Sequence, residues 1–290
     1  RSFELVIASY GRVRLLAEAL VGRAGRFVAV GGFGTYRGAL NPEANFPAGL
    51  AVPVPEDAPL VASEAEQRFA WLMAKTEEAV MACHPTAALF RYPYVYGPHQ
   101  VVPREWCVIR RLLDGRSRLL LPDGGLALTT QGYAENVAEA VLRAVDRPEA
   151  SAGRIYNCGD ERQLSLVQIA AIIAAEMGRT VEIVSLPHAL AFPAHPFALG
   201  GTHHRLLDLG RLKQDLGYRD VVAPEEALRR TTRWLLANRP EPGGELEQRL
   251  GDPFDYATED ALLDRYGDFL RGAGDLLARK PGVGHHPYAH

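Results

Sequence analysis

Short apolar runs alternate with helical patterns along the first part of the chain, and this alternation most constrains the fold. Residues 3–8 (FELVIA) and 26–30 (RFVAV) have the character of strands buried on both faces, which are apolar throughout. Leucine and alanine recur at helical spacing between them, and a helix fits residues 64–82. A third strand fits residues 87–92, after a loop at residues 39–60 rich in proline, alanine and glycine. Because sequential parallel strands need crossover helices, this order predicts a doubly wound α/β sheet.

The rest of the chain continues the alternation with a smaller α/β region. Gly178 is expected to close one helix, and Pro224 suits the first turn of another. The predicted elements are helices at 137–145, 166–177, 225–237 and 260–270 and strands at 153–157 and 181–184.

These elements predict three regions. A Rossmann-like dinucleotide-binding domain, incomplete at its N-terminus, is assigned to residues 1–102 and 130–178. A substrate-binding region is assigned to residues 103–129 and 179–240, and a C-terminal extension to residues 241–290.

Composition narrows the functional class. Net charge is −3 with mixed signs, which gives no reason to expect nucleic-acid binding. The three cysteines are widely spaced and form no C-x-x-C pair, so we expect neither a zinc site nor disulfides, and a reducing cytoplasm is the expected compartment. No apolar run reaches membrane-spanning length. His203, His204 and the histidines of residues 285–290 lack acidic or cysteine partners at ligand spacing, so no metal site is predicted.

Six short segments carry a family resemblance. They are residues 26–38 (RFVAVGGFGTYRG), 71–75 (WLMAK), 90–98 (FRYPYVYGP), 133–138 (YAENVA), 153–159 (GRIYNCG) and 204–218 (HRLLDLGRLKQDLGY). In order and approximate spacing they resemble the motifs of the extended short-chain dehydrogenases/reductases, the NAD-dependent epimerase/dehydratase family. The resemblance implies a Rossmann-like fold and NAD or NADP at the carboxyl ends of the strands.

The resemblance also implies a glycine-rich turn after the first strand, where a pyrophosphate meets backbone N–H groups. No such turn is found. The nearest candidate, residues 31–34 (GGFG), matches a later strand of the family, the one that carries its catalytic serine and is called the serine strand below. We expect that the first strands and their glycine-rich loop precede Arg1, because a sheet lacking half its strands would expose an apolar edge. A short variant of the family is the alternative.

The family's catalytic pair is a tyrosine that acts as general acid/base and, four residues on, a lysine that holds the cofactor's ribose. Lys75 stands at the lysine position and is a predicted catalytic and cofactor-binding residue, while Trp71 stands at the tyrosine position. Indole has no ionisable hydroxyl but can stack on a nicotinamide or an aromatic substrate. Packing of Trp71 between helix and sheet is the alternative. Gly32 matches the catalytic serine, so the chain resembles an atypical member.

Other tyrosines are candidates for the missing proton donor. Tyr36 follows the serine strand, and Tyr94 lies at the strand end that borders nicotinamide and substrate in the family. Both are predicted catalytic residues, with ordinary aromatic core as the alternative. Four further residues at these strand ends are predicted to contact the cofactor: Gly31, Gly32, Tyr92 and Pro93.

Aromatic residues suggest the substrate class. Trp106, Tyr94 and Trp71 are predicted to line a substrate pocket that favours a hydrophobic or aromatic compound over a polar sugar. Arg205 matches a family arginine that holds the substrate diphosphate, but Thr129 stands where the family carries another. A basic cluster formed by Arg110, Arg111, Arg116 and Arg118 is interpreted as solvated surface charge or as a further anion site.

Two classes of function therefore compete. The first is an NAD(P)-dependent oxidoreductase or epimerase-like enzyme with altered acid/base groups, acting on a small hydroxyl or carbonyl compound. The second is a binding protein, either a sensor or a partner protein, that retains NAD(P) and has lost redox chemistry. A non-redox lyase or isomerase is a third option. Because the family is often dimeric through helices such as the one bearing Lys75, a homodimer is a further option.

Overall fold

The computed structural model describes residues 1–9, 11–191 and 202–278. The histidines of residues 285–290 and the end of the predicted C-terminal extension lie outside these ranges. The strands are β1 (Phe3–Ser9), β2 (Ala24–Gly32), β3 (Ala88–Tyr92), β4 (Tyr94–Tyr96), β5 (Arg118–Pro122), β6 (Gln131–Tyr133), β7 (Arg154–Asn157) and β8 (Glu182–Leu186).

Ten α-helices lie in the described part of the chain. They are α1 (Val13–Ala19), α2 (Arg68–Cys83), α3 (Trp106–Leu113), α4 (Ala134–Asp146), α5 (Leu166–Glu176), α6 (Gly210–Leu216), α7 (Pro224–Ala237), α8 (Glu245–Leu250), α9 (Tyr256–Gly272) and α10 (Gly274–Leu277).

The main sheet has four parallel strands in the order β1-β2-β3-β7, which confirms the predicted parallel α/β architecture. Strand β2 is buried on both faces because its side chains alternate between two cores. Phe27 and Ala29 pack with the α1–α2 layer, whereas Val28 and Val30 pack with the layer that contains α4 and α6. This double burial explains the uninterrupted apolar run in the sequence.

Two smaller parallel pairs extend this frame towards the substrate side. Strand β4 pairs with β6, which places Tyr94 opposite Gln131. Strand β5 pairs with β8, and Leu263 of α9 packs with their buried residues. The C-terminal helices therefore cover the second α/β region.

Local signals fix the ends of several helices. Ser165 and Gln168 form a capping box at the start of α5, and Gly178 just beyond it has a φ of +63°, as its predicted role requires. Pro224 is the first residue of α7, as predicted. Helix α2 begins after Gln67, whose side chain accepts a hydrogen bond from the Ala70 N–H. No helix within the described residues is both long and apolar enough to span a bilayer.

Candidate functional site

A large apolar cavity lies at the carboxyl ends of β2 and β3, beside α2. Its volume is about 590 Å³. Parallel strands of an α/β sheet present their carboxyl ends at one edge, where such folds bind ligands. The lining includes four of the five predicted cofactor contacts, Gly31, Gly32, Tyr92 and Pro93, together with Tyr94. The strand ends thus bring these five predicted site residues together.

Helix α2 presents a different face to the cavity from the one predicted. Its lining residues are Phe69, Leu72, Met73, Thr76 and Glu77. Neither Trp71 nor Lys75 is among the lining residues, and Lys75 Nζ instead pairs with Glu78 Oε2 at 2.6 Å on an exposed part of the helix. Trp71 and Lys75 each lie two positions after a lining residue, Phe69 or Met73, and residues two apart on a helix project from different faces. The structure therefore corrects the predicted placement of both residues.

Phe69 and Met73 have the same four-residue spacing as the family's tyrosine and lysine, and they do face the cavity. Phenylalanine is tyrosine without its hydroxyl, and a thioether cannot act as an ammonium group. Met73 lies against the glycine turn: a Cβ at Gly32 would be 3.3 Å from its Sδ, and one at Gly34 2.7 Å from its Cε. The glycines thus make room for the methionine, and this wall of the cavity is apolar.

Tyr36 lies in a buried polar network. Its hydroxyl donates to Asn157 Oδ1 at 2.6 Å and accepts from Arg91 Nη1 at 2.7 Å, and Arg91 also pairs with Glu77 at 2.8 Å. Burial raises the pKa of Tyr36 to about 12, although the nearby Arg91 charge opposes the shift. The residue is fully buried and does not line the cavity, so the prediction of Tyr36 as a proton donor is replaced by a structural role.

Tyr94 lies at the rim, between two arginines. The Arg104 Cζ is 3.7 Å from the centre of the Tyr94 ring, the Arg205 Cζ is 5.7 Å from it, and the Phe33 ring packs edge-on at 5.4 Å. Backbone bonds hold Arg205 in place: its N–H donates to Leu128 O, and its carbonyl accepts from Thr130 N–H. Guanidinium groups over an aromatic face are a favourable arrangement. Two predicted substrate residues, Tyr94 and Arg205, therefore do lie together.

Trp106 is part of the core and not of the cavity. It is 2% exposed, and its Nε1–H donates to Glu247 Oε1 at 2.8 Å. The predicted aromatic pocket of Trp71, Tyr94 and Trp106 therefore keeps only Tyr94. Its aromatic partner at the rim is Phe33.

Sequence reasoning missed Phe69, Met73 and Arg104. A signal for the first two existed: Ala70 and Ala74 are small, buried residues at helical spacing, and they fix which face of α2 packs against the sheet. No comparable signal marks Arg104, because its importance comes from the distant Tyr94 ring and its neighbourhood.

The cavity suits a flat heterocycle such as nicotinamide. A Cβ at Gly31 would meet its neighbours no closer than 3.7 Å, so the strand end leaves space beside the backbone. The lining is largely apolar, as ligand sites commonly are. The ammonium group that usually holds the ribose is missing from this face of α2, where Met73 stands. The residues present therefore fit the ring end of a dinucleotide, without the usual ribose contact.

Comparison with known sequences agrees with the geometry. Residues 67–159 match the sequence model of the NAD dependent epimerase/dehydratase family. This segment of the chain is similar to that family. The matched segment runs from the start of α2 to the residues that follow β7, and it includes the cavity wall formed by Phe69 and Met73.

The curated relatives are distant in sequence. The Uncharacterized protein YbjS of Escherichia coli (strain K12) is 27% identical over 169 residues, which cover 51% of this chain and 49% of that protein. UDP-D-apiose/UDP-D-xylose synthase 2 of Arabidopsis thaliana is 37% identical over 68 residues, covering 23% and 18%. The chain thus spans at most about half the length of these curated relatives.

Solved structures confirm the fold. UDP-Glucuronic acid 4-epimerase from Bacillus cereus, in complex with UDP-Glucuronic acid and NAD, superposes with a TM-score of 0.61 at 16% identity. The match covers 78% of this chain and 66% of that chain. This similarity extends to the Rossmann-like architecture of the family.

Proposed function

We propose that the chain binds NAD or NADP with the nicotinamide end in the apolar cavity, and that it acts as an oxidoreductase or epimerase-like enzyme on a small apolar hydroxyl or carbonyl compound. The observation that carries this proposal is the glycine-floored cavity of about 590 Å³ at the strand ends, with Tyr94 at its rim. The cofactor supplies hydride transfer, and the protein positions the substrate and stabilises charge on its oxygen.

Tyr94 is the proposed proton donor. It is the one tyrosine besides Tyr92 that lines the cavity within the described residues, and the Tyr92 hydroxyl already donates to Val137 O at 2.8 Å. The cations of Arg104 and Arg205 lie on the Tyr94 ring, where their charge would stabilise negative charge that develops on a substrate oxygen. Gly31, Gly32, Tyr92 and Pro93 remain the proposed cofactor contacts, and no role is proposed for Lys75.

The direct test is titration of NADH and NADPH into the protein, followed by tryptophan fluorescence. We expect one of them to bind, and turnover of aromatic aldehydes and ketones to fall by about 10²-fold or more in Tyr94→Phe, since a positioned acid contributes that much. Lys75→Ala is the matched control and should leave binding and turnover unchanged. Failure of both dinucleotides to bind at millimolar concentration would reject the proposal.

The assignment of the α2 face has its own test. Phe69→Tyr/Met73→Lys restores a tyrosine–lysine pair on the cavity face, whereas Trp71→Tyr completes the same motif with Lys75 on the other face. We expect only the double variant to tighten dinucleotide binding, by about tenfold, the usual worth of a hydrogen bond from a charged donor. A gain in Trp71→Tyr alone would return Lys75 to the site.

A second candidate function is a sensor that binds NAD(P) without redox chemistry. The apolar trio Gly32, Phe69 and Met73 favours it, because none of the three can exchange a proton or hold a ribose. The carboxylate of Glu77, which also lines the cavity, is already paired with Arg91. Dinucleotide binding by wild type, with no turnover of any carbonyl compound, would select this function over the first.

A further inference from the structure

A smaller pocket adjoins the large cavity on the far side of Tyr94. Its volume is about 160 Å³, and Tyr94, His203 and Arg205 form its polar side. Leu40, Pro42 and Leu50 form its apolar side. Leu40 and Tyr94 also line the large cavity, so the two spaces are neighbours.

Positive charge is concentrated around this pocket. Arg205 lines it directly and is only 6% exposed. Arg104 stacks on the Tyr94 ring at 3.7 Å. Burial lowers the pKa of Arg104 to about 10, and the charge of Arg205 contributes to the lowering. The buried guanidinium of Arg205 and the partly buried one of Arg104 lie near the same ring and repel each other, so an anion bound beside Arg205 would relieve the repulsion.

Arg104 also lacks the partners that buried arginines normally have. Its Nε is buried and has no hydrogen-bond partner, and no carboxylate lies within 4 Å of its guanidinium group among residues 1–9, 11–191 and 202–278. The adjacent carboxyl of Glu105 is bound by Gln100 Nε2 at 2.7 Å instead. A partly buried charge without a counter-charge is costly, which makes the site ready to accept one from a ligand.

We infer that this pocket binds the carboxylate of a substrate whose flat, apolar body lies in the large cavity. The substrate class is therefore an aromatic or otherwise apolar carboxylic acid, and this assignment rests on the proposed function of the same cavity. A carboxylate matches the planar fork of arginine. The small volume and the leucine and proline walls suit one compact monoanion better than a strongly hydrated nucleoside diphosphate.

The test is isothermal titration calorimetry without cofactor, using 2-naphthoate and its neutral counterpart 2-naphthylmethanol. Wild type should bind the carboxylate about tenfold more tightly than the alcohol, because a hydrogen bond to a charged group is worth that much. Arg205→Met should abolish the preference. The matched control Arg118→Met, which removes an exposed arginine paired with Glu182 at 3.6 Å, should retain it.

Arg104 is proposed as a positioning residue that acts through Tyr94. Arg104→Met should reduce the carboxylate preference by about threefold and leave the affinity for 2-naphthylmethanol unchanged. A general loss of structure would instead weaken the binding of both compounds. If Arg205→Met does not fold, Arg205→Lys, which keeps the charge but loses the fork, should retain a weakened preference.

Three outcomes would overturn the inference. They are equal affinity for acid and alcohol in wild type, an undiminished preference in Arg205→Met, and tighter binding of UDP-glucose than of 2-naphthoate. A carboxylate preference without any NADH or NADPH binding would support the pocket and reject the proposed function. Dinucleotide binding without a carboxylate preference would do the reverse.

Discussion

Arginines in two regions of the molecule have opposite surroundings. At the C-terminal side, Arg111 of α3 is buried and donates to Asp252 and Glu259, each at 2.6 Å. Beside the cavity, Arg104 stacks on Tyr94 and has no carboxylate partner in the part of the chain that the structure describes. The same residue type is thus neutralised by the protein in one region and left with its charge uncompensated in the other.

Charge pairing separates structural arginines from those that are available to a ligand. The neighbours of Arg111 on α3 and β5 are also paired: Arg110 with Glu247, Arg116 with Asp260 and Arg118 with Glu182. Three members of the basic cluster, Arg110, Arg111 and Arg116, therefore pair with carboxylates of the C-terminal helices and the loop between them. The fourth, Arg118, pairs across β5 and β8. The arginines beside the cavity occur singly in the sequence and are brought to one tyrosine by the fold.

The largest expected loss of stability is at Arg111, the arginine with two carboxylate partners. Arg111→Met leaves two buried carboxylates without their cation, so the free energy of unfolding should fall by about 3–5 kcal/mol. Urea denaturation followed by circular dichroism measures it. Arg118→Met, which removes an exposed pair, should change the value by less than about 1 kcal/mol. Equal losses of stability in the two variants would contradict the distinction between the Arg111 and Arg118 ion pairs.

The order of elements was predictable, whereas the pairing of distant elements was not. Strands β2 and β3 were found because burial on both faces makes their sequences mostly apolar. Strand β1 was found from a similar apolar run, although it lies at the sheet edge and most of its residues are not buried. Strand β5 was missed because its partner β8 lies some sixty residues away and because its apolar run directly follows arginines of the basic cluster. Local pattern contains no information on such a contact.

The candidate site shows the same limit. Predicted residues at strand ends, such as Gly32 and Tyr94, do meet at the cavity, because parallel strands end at one edge. The face of α2 was placed wrongly: the pairs Trp71/Lys75 and Phe69/Met73 have identical spacing, and only contact of Met73 with the glycine turn distinguishes them. The burial of Tyr36 likewise depends on Arg91, which follows it by 55 positions.

Asp160 is a buried carboxylate with no ion-pair partner among the residues that the structure describes. Asp160 accepts hydrogen bonds from Tyr96 OH, Asn136 Nδ2 and Tyr133 N–H, all neutral donors, and burial raises its pKa to about 6. Because the folded state holds this proton more tightly than the unfolded chain, the resulting stabilisation is complete below about pH 4 and is lost as pH rises through 6.

Asp160→Asn should remove this dependence. Between pH 4 and 7 the unfolding free energy of wild type should fall relative to the variant by about 3 kcal/mol, the value of a two-unit pKa shift. Urea denaturation at pH 4, 5.5 and 7 gives the difference, in which the other titrating groups cancel. A difference that is independent of pH would mean that Asp160 stays ionised.

An intermediate loss of stability is expected at Trp106. This residue was predicted to line the substrate pocket, but it contacts Glu247, the partner of Arg110. Trp106→Phe removes the donor to Glu247 and should lower the unfolding free energy by about 1.5–3 kcal/mol, as for other hydrogen bonds to charged groups. Tyr94→Phe is the matched control, since the Tyr94 hydroxyl has no hydrogen bond within the described residues, and its effect should be below about 0.5 kcal/mol. Reversed magnitudes would return Trp106 to the cavity.

The smallest change in stability is expected at Arg104, which has no carboxylate partner among the described residues. The substitution to methionine is the same as the one proposed for Arg111. Arg104→Met removes a partly buried cation whose Nε has no partner and replaces it with an apolar side chain of similar length. The lost stacking on Tyr94 and the relieved desolvation cost oppose each other, so the unfolding free energy should change by less than about 1 kcal/mol in either direction. Urea denaturation beside Arg111→Met makes the contrast direct. A loss as large as that of Arg111→Met would show that Arg104 has a structural partner, and the charge beside the cavity would then be no more available to a ligand than the charge on α3.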